Sequence, residues 1–509
     1  MFRRKPQRLD SFPSSPYNAT FLRPACPQLG HGDINEDCLY LNIYTPKASS
    51  TERFPVMLWI HGGSLKTGSA QSYATGSIIR NFISRGVIVV TIQYRLGMLG
   101  YFTTFTDDFP PNRGALDQVE AIKFVKDEIK NFGGNPFQIT LFGQSAGSAS
   151  VAAHLFSPLS QSLFQGAIME SGSVLTCFDG ALGFQNTSVE WAQQLCNFTS
   201  NNWNALNYTE LTNCLSNMPF SKWLPLDDNL LLGWQMVQDN YFLPDVPRNL
   251  ASKRPNIPVM YGNCRDEWSY FDLSFLRDGL TKLSDYSKGF FELFFGTMAS
   301  YLASREFDVV GMLEGVYTPF GTSDDDHLAW FKIQNDIFTS TGFTGFITRE
   351  IDWHLLNGNK QVYAYEITYE SQIGRFYELP GWTPVYHSCE IPFLWMMPND
   401  WLTAGSKGKV TTDDFDIADW LGMTWTNFAK YGKPNLDQNL WPAMNYSTHT
   451  YLEIDKIKTV KQNYRNTDST LWNKVLPPII GNWPPERPDW DNGTIAFKDV
   501  FHNFINRAN

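Results

Sequence analysis

Apolar residues fall along the chain in short runs closed by turn formers. "PVMLWIHGG" (55–63), "GVIVVTIQYR" (86–95), "FQITLFG" (137–143), "FQGAIMESG" (164–172), "NIPVMYGN" (256–263) and "QVYAYEITY" (361–369) are such runs. Their brevity and their β-branched and aromatic content predict strands. Between several of them the period changes. In "ALDQVEAIKFVKDEIKNFGG", Val119, Ile122, Val125 and Ile129 share one helical stripe, and Gly133-Gly134 supplies the stop. "AGSASVAAHLF" (146–156) is Ala-rich, free of proline and able to form a helix. Apolar strands alternating with helices predict an α/β fold: a large, mostly parallel central sheet with helices on both faces. In such sheets active sites form at the carboxyl ends of the strands. No internal repeat or low-complexity tract interrupts the pattern.

Three strand ends carry candidate chemistry. The run 137–143 leads into Gly143-Gln144-Ser145-Ala146-Gly147. A serine between a strand and a helix, flanked by glycines that leave room for a crossing backbone, is the pattern of a nucleophile elbow. The run 55–63 ends in His61-Gly62-Gly63, a glycine turn able to offer backbone N–H donors to an oxyanion. The run 256–263 is followed by Asp266 and Glu267, either of which could serve as the orienting acid; the alternative is a solvated acidic pair beside Arg265.

A hydrolytic serine needs a base as well, and the chain order serine, acid, histidine places it after Ser145. Of the histidines there, His154 lies in the helix leaving the elbow and points away from the strand ends. His387, in the turn-rich "GWTPVYHSCEIPFLW", sits in a loop able to reach one. His449 and His502 lie in polar surroundings and are read as solvated.

Composition narrows the partners. The formal net charge is −11, which argues against a nucleic-acid partner. No run approaches the 18 or so apolar residues of a membrane span. Aromatic residues make up 15% of the chain, enough to line an apolar cleft beyond a large core. Seven cysteines and sequons at Asn18, Asn186, Asn197, Asn207, Asn445 and Asn492 point to the secretory route, as a glycoprotein secreted or held in the endoplasmic-reticulum lumen. The opening "MFRRKPQRLDSF" lacks the apolar core of a signal peptide.

With these residues in place, the chain resembles the type-B carboxylesterase and cholinesterase family. "EDCLYLNIYTP" (36–46) is the strongest match, and "VMLWIHGGS", "QYRLGMLGYF", "NRGALDQVEAIKFVKDEIKNFGGNPFQITLFGQSAG" and "WTNFAKYGKPN" carry it nearly end to end. The resemblance implies one α/β-hydrolase domain over residues 1–509, starting inside the family pattern without the signal peptide and opening hairpin. It implies a serine esterase acting through an acyl-enzyme, with Ser145 as nucleophile, Glu267 rather than Asp266 as acid, and His387 as base. Gly63, Ser64 and Ala146 match the oxyanion hole, with Gly62 and Ser171 supporting it. No metal or cofactor belongs to that mechanism; the partner is a small uncharged ester. Cys26–Cys38 and Cys196–Cys214 match the family's common bridges, leaving Cys177, Cys264 and Cys389, with a third bridge between the last two as a further possibility.

Several positions depart from the family. Ser64 stands where a third glycine is usual, Trp268 follows the acid, and Pro384 and Ser388 lie near the base where glycine is common; all four are expected to add bulk at the site. Gln144 also precedes the nucleophile in juvenile hormone esterases. The segment between Cys26 and Cys38 has no Trp, which argues against a cholinesterase. Glu36 is expected to lack its family arginine, weakening the N-terminal edge. The alternative to an esterase is a cholinesterase-like adhesion protein with weak or no catalysis.

Overall fold

The structure is a computed structural model that describes residues 5–7, 16–49, 51–180, 183–228, 233–302, 306–481 and 483. Nine strands form one sheet: β1 (Leu41–Tyr44), β2 (Phe54–Ile60), β3 (Ile88–Ile92), β4 (Gly134–Gln144), β5 (Gly166–Glu170), β6 (Val259–Cys264), β7 (Val362–Ile367), β8 (Tyr451–Ile454) and β9 (Thr459–Lys461). Their order is β1-β3-β2-β4-β5-β6-β7-β8-β9, antiparallel only at the two edges, where β1 meets β3 and β8 meets β9. The strands expected at 55–63, 86–95, 137–143, 164–172, 256–263 and 361–369 are all present as β2 to β7.

The apolar runs lack alternation because both faces of the sheet are buried. Val56, Leu58, Ile60, Val90, Ile139 and Leu141 join one core, while Met57, Trp59, Val89 and Phe142 join another on the opposite face. Helix α1 (Arg113–Glu128) packs Val119, Ile122 and Val125 into the first core, and Gly133, at φ 84°, ends the short turn that extends it. Helix α2 (Ala146–Phe156) leaves β4 and is buried along its whole length. On the other face, α3 (Thr412–Tyr431) presents Leu421, Trp425 and Phe428. Thr411 and Asp414 form a capping box at its start, Asp413 and Asp414 complement the N-terminal dipole, and Gly432 at φ 69° takes the left-handed stop.

Two buried arginines explain the family-like segments 93–102 and 112–117. Arg95 forks onto Asp117, with Nε–Oδ2 and Nη2–Oδ1 both at 2.7 Å, and its backbone N–H adds a third bond to Oδ2. Arg113 donates to the carbonyls of Met98, Leu99, Phe102 and Pro110, and burial holds its guanidinium down to about 9. The loop between β3 and α1 is thereby tied to charges that water does not reach.

Disulfides join Cys26 to Cys38 and Cys196 to Cys214, the pairings the resemblance implied. The third bridge is absent: Cys177, Cys264 and Cys389 are free thiols, and burial raises Cys177 to about 12. Glu36, expected to lack its family arginine, does have an interaction in the structure. Among the described residues no helix is long and apolar enough to cross a membrane.

Removing one partner of a buried ion pair leaves a desolvated charge. Asp117→Ala is expected to destabilise the fold by roughly 3–5 kcal/mol, read as a lower urea midpoint at unchanged m-value.

Candidate active site

Ser145 joins β4 to α2 at φ 59° and ψ −127°, a strained conformation for a residue with a β-carbon. The flanking glycines explain how the turn is held. A β-carbon on Gly143 would lie 2.6 Å from the Gly147 carbonyl and 2.7 Å from that of Ile60, and one on Gly147 would lie 2.0 Å from Ile60. The end of β2 thus passes directly against the elbow. Ser145 N–H donates to the Glu170 carbonyl at 2.9 Å, which ties the turn to β5.

The glycine turn after β2 presses on the same point, since a β-carbon on Gly62 would meet the Gln144 carbonyl at 2.6 Å. Gly63 has φ 107° and Ser64 φ 55°, so Ser64 keeps the turn that a third glycine would make at less cost. Among the described residues the N–H groups of Gly63, Ser64 and Ala146 donate to no protein acceptor. His61 is a support: its ring stacks on Tyr94 at 4.5 Å, and burial lowers its pKa to about 4, keeping it neutral.

Glu267 follows β6, and His387 lies in the loop after β7. His387 Nδ1 donates to Glu267 Oε2 at 2.6 Å, and the Cys264 N–H donates to Oε1 at 2.6 Å. Glu267 is fully buried, with both oxygens occupied. Asp266 is buried too, against its reading as solvated. It bonds Arg265 at 2.9 Å and the Val385 N–H at 2.8 Å, so it shapes the histidine loop and does not meet the imidazole.

His387 Nε2 faces the elbow, 3.2 Å from the Gln144 amide nitrogen, which also donates to Ser388 Oγ at 2.9 Å. Among the described residues the Ser145 hydroxyl makes no hydrogen bond. Aromatic rings enclose the imidazole: Phe343 at 4.9 Å, Phe271 at 6.2 Å and Tyr270 at 6.4 Å. Phe343 is delivered by a π-helical turn, Ser340–Thr344, a local widening frequent at functional sites. Trp268 does not add bulk at the opening as expected; it is buried between Phe271 and Phe338, each at 4.7 Å. Pro384 is buried, with its carbonyl accepting from Arg375. Ser171, at φ 56°, is buried at the end of β5 and donates its N–H to Gly262.

The other histidines stand apart. His154 is buried between Ser160 and Gln118, as a structural residue should be. His449, read as solvated, instead meets Asp352 at 2.7 Å. His502 lies outside the described residues.

The sequence reading passed over two buried carboxyls. Glu170 Oε1 accepts from Trp425 Nε1 at 2.7 Å, and Glu390 Oε2 accepts from the Cys264 thiol at 3.1 Å. Glu170 Oε2 and Glu390 Oε1 have no hydrogen-bond partner. Burial raises both groups; the charge of Glu390 raises Glu170 further, and that of Glu267 raises Glu390, to about 7. A charged residue inside the apolar run "GAIMESG" was the signal available, because an acid buried on a central strand must be paired or protonated. Glu390 holds in the folded state a proton that it releases when unfolded. Its stabilising contribution is complete below about 4.5 and is lost as pH rises through about 7. Glu390→Gln is expected to flatten the fall in stability across that window, by up to about 1.4 kcal/mol per pH unit, in urea unfolding at stepped pH.

Known proteins resemble this chain along nearly its whole length. The model of the carboxylesterase family matches residues 3–472. Pyrethroid hydrolase Ces2e of Rattus norvegicus is 31% identical, over 88% of this chain and 75% of that protein. A medium-chain fatty acyl-CoA hydrolase precursor of Anas platyrhynchos is 29% identical, over 88% and 78% respectively. Carboxylesterase 5A of Homo sapiens is 29% identical, over 90% and 76%. The chain belongs to the carboxylesterase family of α/β-hydrolases and is a carboxylic ester hydrolase.

Proposed function

We propose that Ser145, His387 and Glu267 form the catalytic triad, and that the N–H groups of Gly63, Ser64 and Ala146 form the oxyanion hole. The contact that carries this reading is the 2.6 Å bond between Glu267 and His387, made beside the elbow by residues 120 apart in the chain. The Nδ1–H bond to a buried carboxylate leaves Nε2 as the acceptor, the tautomer a general base requires.

Ester cleavage then follows in two halves. Ser145 Oγ bonds to the carbonyl carbon while its proton passes to His387 Nε2, and the carbonyl electrons move onto the oxygen held by the three N–H donors. Glu267 stabilises the imidazolium. As the carbon–oxygen bond to the alcohol breaks, His387 returns the proton to the leaving oxygen. Water repeats the sequence on the acyl-enzyme. The aromatic rings around His387 favour an uncharged, fairly apolar ester. The paired cysteines support passage through an oxidising compartment, and we take residues 1–509 as a single catalytic domain.

Hydrolysis of p-nitrophenyl acetate and butyrate tests the nucleophile. Ser145→Ala should abolish turnover, and a dialkyl fluorophosphate should label Ser145 alone, as read by mass spectrometry. Turnover that survives the substitution, or folded protein with neither turnover nor label, would sink the assignment. Glu267→Gln keeps the shape but cannot hold the imidazolium charge, and kcat should fall about 10³- to 10⁴-fold with little change in KM. A loss below tenfold would remove Glu267 from the role.

A further inference from the structure

His387 Nε2 has one lone pair, and in this structure it faces the Gln144 amide. Gln144 is the last residue of β4, only 5% exposed, and its two amide protons have two acceptors: Ser388 Oγ at 2.9 Å and His387 Nε2 at 3.2 Å. The Ser145 hydroxyl makes no bond to His387. Ser388 holds its side chain at φ 73°, in the region that favours glycine. A glycine there would relieve strain but would leave one amide proton without an acceptor.

We propose that Gln144, braced by Ser388, is a positioning residue that caps the base in the resting enzyme, so that His387 turns to Ser145 only when a bound ester displaces the amide. The proposal rests on the triad reading above. Proton transfer from Ser145 Oγ requires the Nε2 lone pair, and an amide N–H cannot share it. The bond from Gln144 must therefore break before the bond from Oγ to the carbonyl carbon forms.

Geometry links the cap to substrate. The amide oxygen of Gln144 lies 3.3 Å from where a β-carbon on Gly62 would stand, at the head of the oxyanion turn. The Ser145 β-carbon lies 3.0 Å from that same point, so the amide sits beside Ser145, between the base and Gly62. A ligand that shifts the amide frees the base in the same movement. The ionisable groups around the imidazole are Glu267, bonded to Nδ1, and Glu390, which interacts with it electrostatically; the Tyr270 ring lies 6.4 Å away. The substitutions below leave all three in place.

The test is the rate at which a small dialkyl fluorophosphate labels Ser145, measured from pH 5 to 9 on the full chain. Gln144→Met keeps the length and removes the donor. Its labelling should rise about fivefold at pH 8, the size of one neutral hydrogen bond of about 1 kcal/mol. Ser388→Ala removes only the brace and should give a smaller change in the same direction. Both variants labelling at or below the wild-type rate would reduce Gln144 to a space-filling side chain. No label on wild type or either variant would remove the triad reading, and the cap with it.

Discussion

Between Gly147 and the carbonyl of Ile60 there is no room for a side chain: a β-carbon would stand 2.0 Å from that oxygen. Everything at the site depends on this crossing. Because β2 runs against the elbow, the turn that follows it, Gly62-Gly63-Ser64, reaches the strand end beside Ser145. Because β4 lies between β2 and β5, the Ser145 N–H can bond the Glu170 carbonyl and hold the turn from the other side. A sheet buried on both faces provides the stiffness such a contact needs, since well-packed cores resist small shifts.

The second constraint is charge kept from water. Arg95, Asp117 and Arg113 anchor the loop between β3 and α1, and Glu267, Glu390 and Glu170 are all buried. The arginines are satisfied by fixed acceptors. The carboxyls are less evenly served: Glu267 has both oxygens bonded, while Glu170 and Glu390 each leave one bare. The acid bonded to His387 is the one with full hydrogen bonding, and its neighbours are pushed toward the neutral form.

Much of this was legible in the sequence, for identifiable reasons. β2 to β7 are apolar and doubly buried, so their composition reports their place. β1, β8 and β9 are short and lie at or near the edges, and every residue of β9 is exposed, so no apolar run marked them. Local sequence could not separate Asp266 from Glu267, because both are buried and only the path of the chain decides which meets His387. Trp268 looked like bulk at the opening because its neighbour is the acid; one residue along, the side chain turns into the aromatic cluster instead. The Gln144 side chain meets His387 and Ser388 across 243 and 244 residues of chain, and those contacts depend on side-chain orientation that composition does not carry.

Four serines around the site share one backbone feature. Ser64, Ser145, Ser171 and Ser388 have φ of 55°, 59°, 56° and 73°, all in the region that disfavours a β-carbon. Each such residue costs on the order of 1–3 kcal/mol and persists only where the surroundings over-determine it. Their surroundings do so: Ser145 and Ser171 follow central strands and donate backbone N–H bonds to the neighbouring strand, Ser64 accepts from Trp234, and Ser388 receives the Gln144 amide. Serine is the smallest side chain that adds a hydroxyl at such a position. In the proposed reaction Ser145 needs its hydroxyl as nucleophile, and Ser388 uses its own to accept the Gln144 amide. At Ser388 a glycine would serve the backbone better, and the hydroxyl that stands there accepts the Gln144 amide.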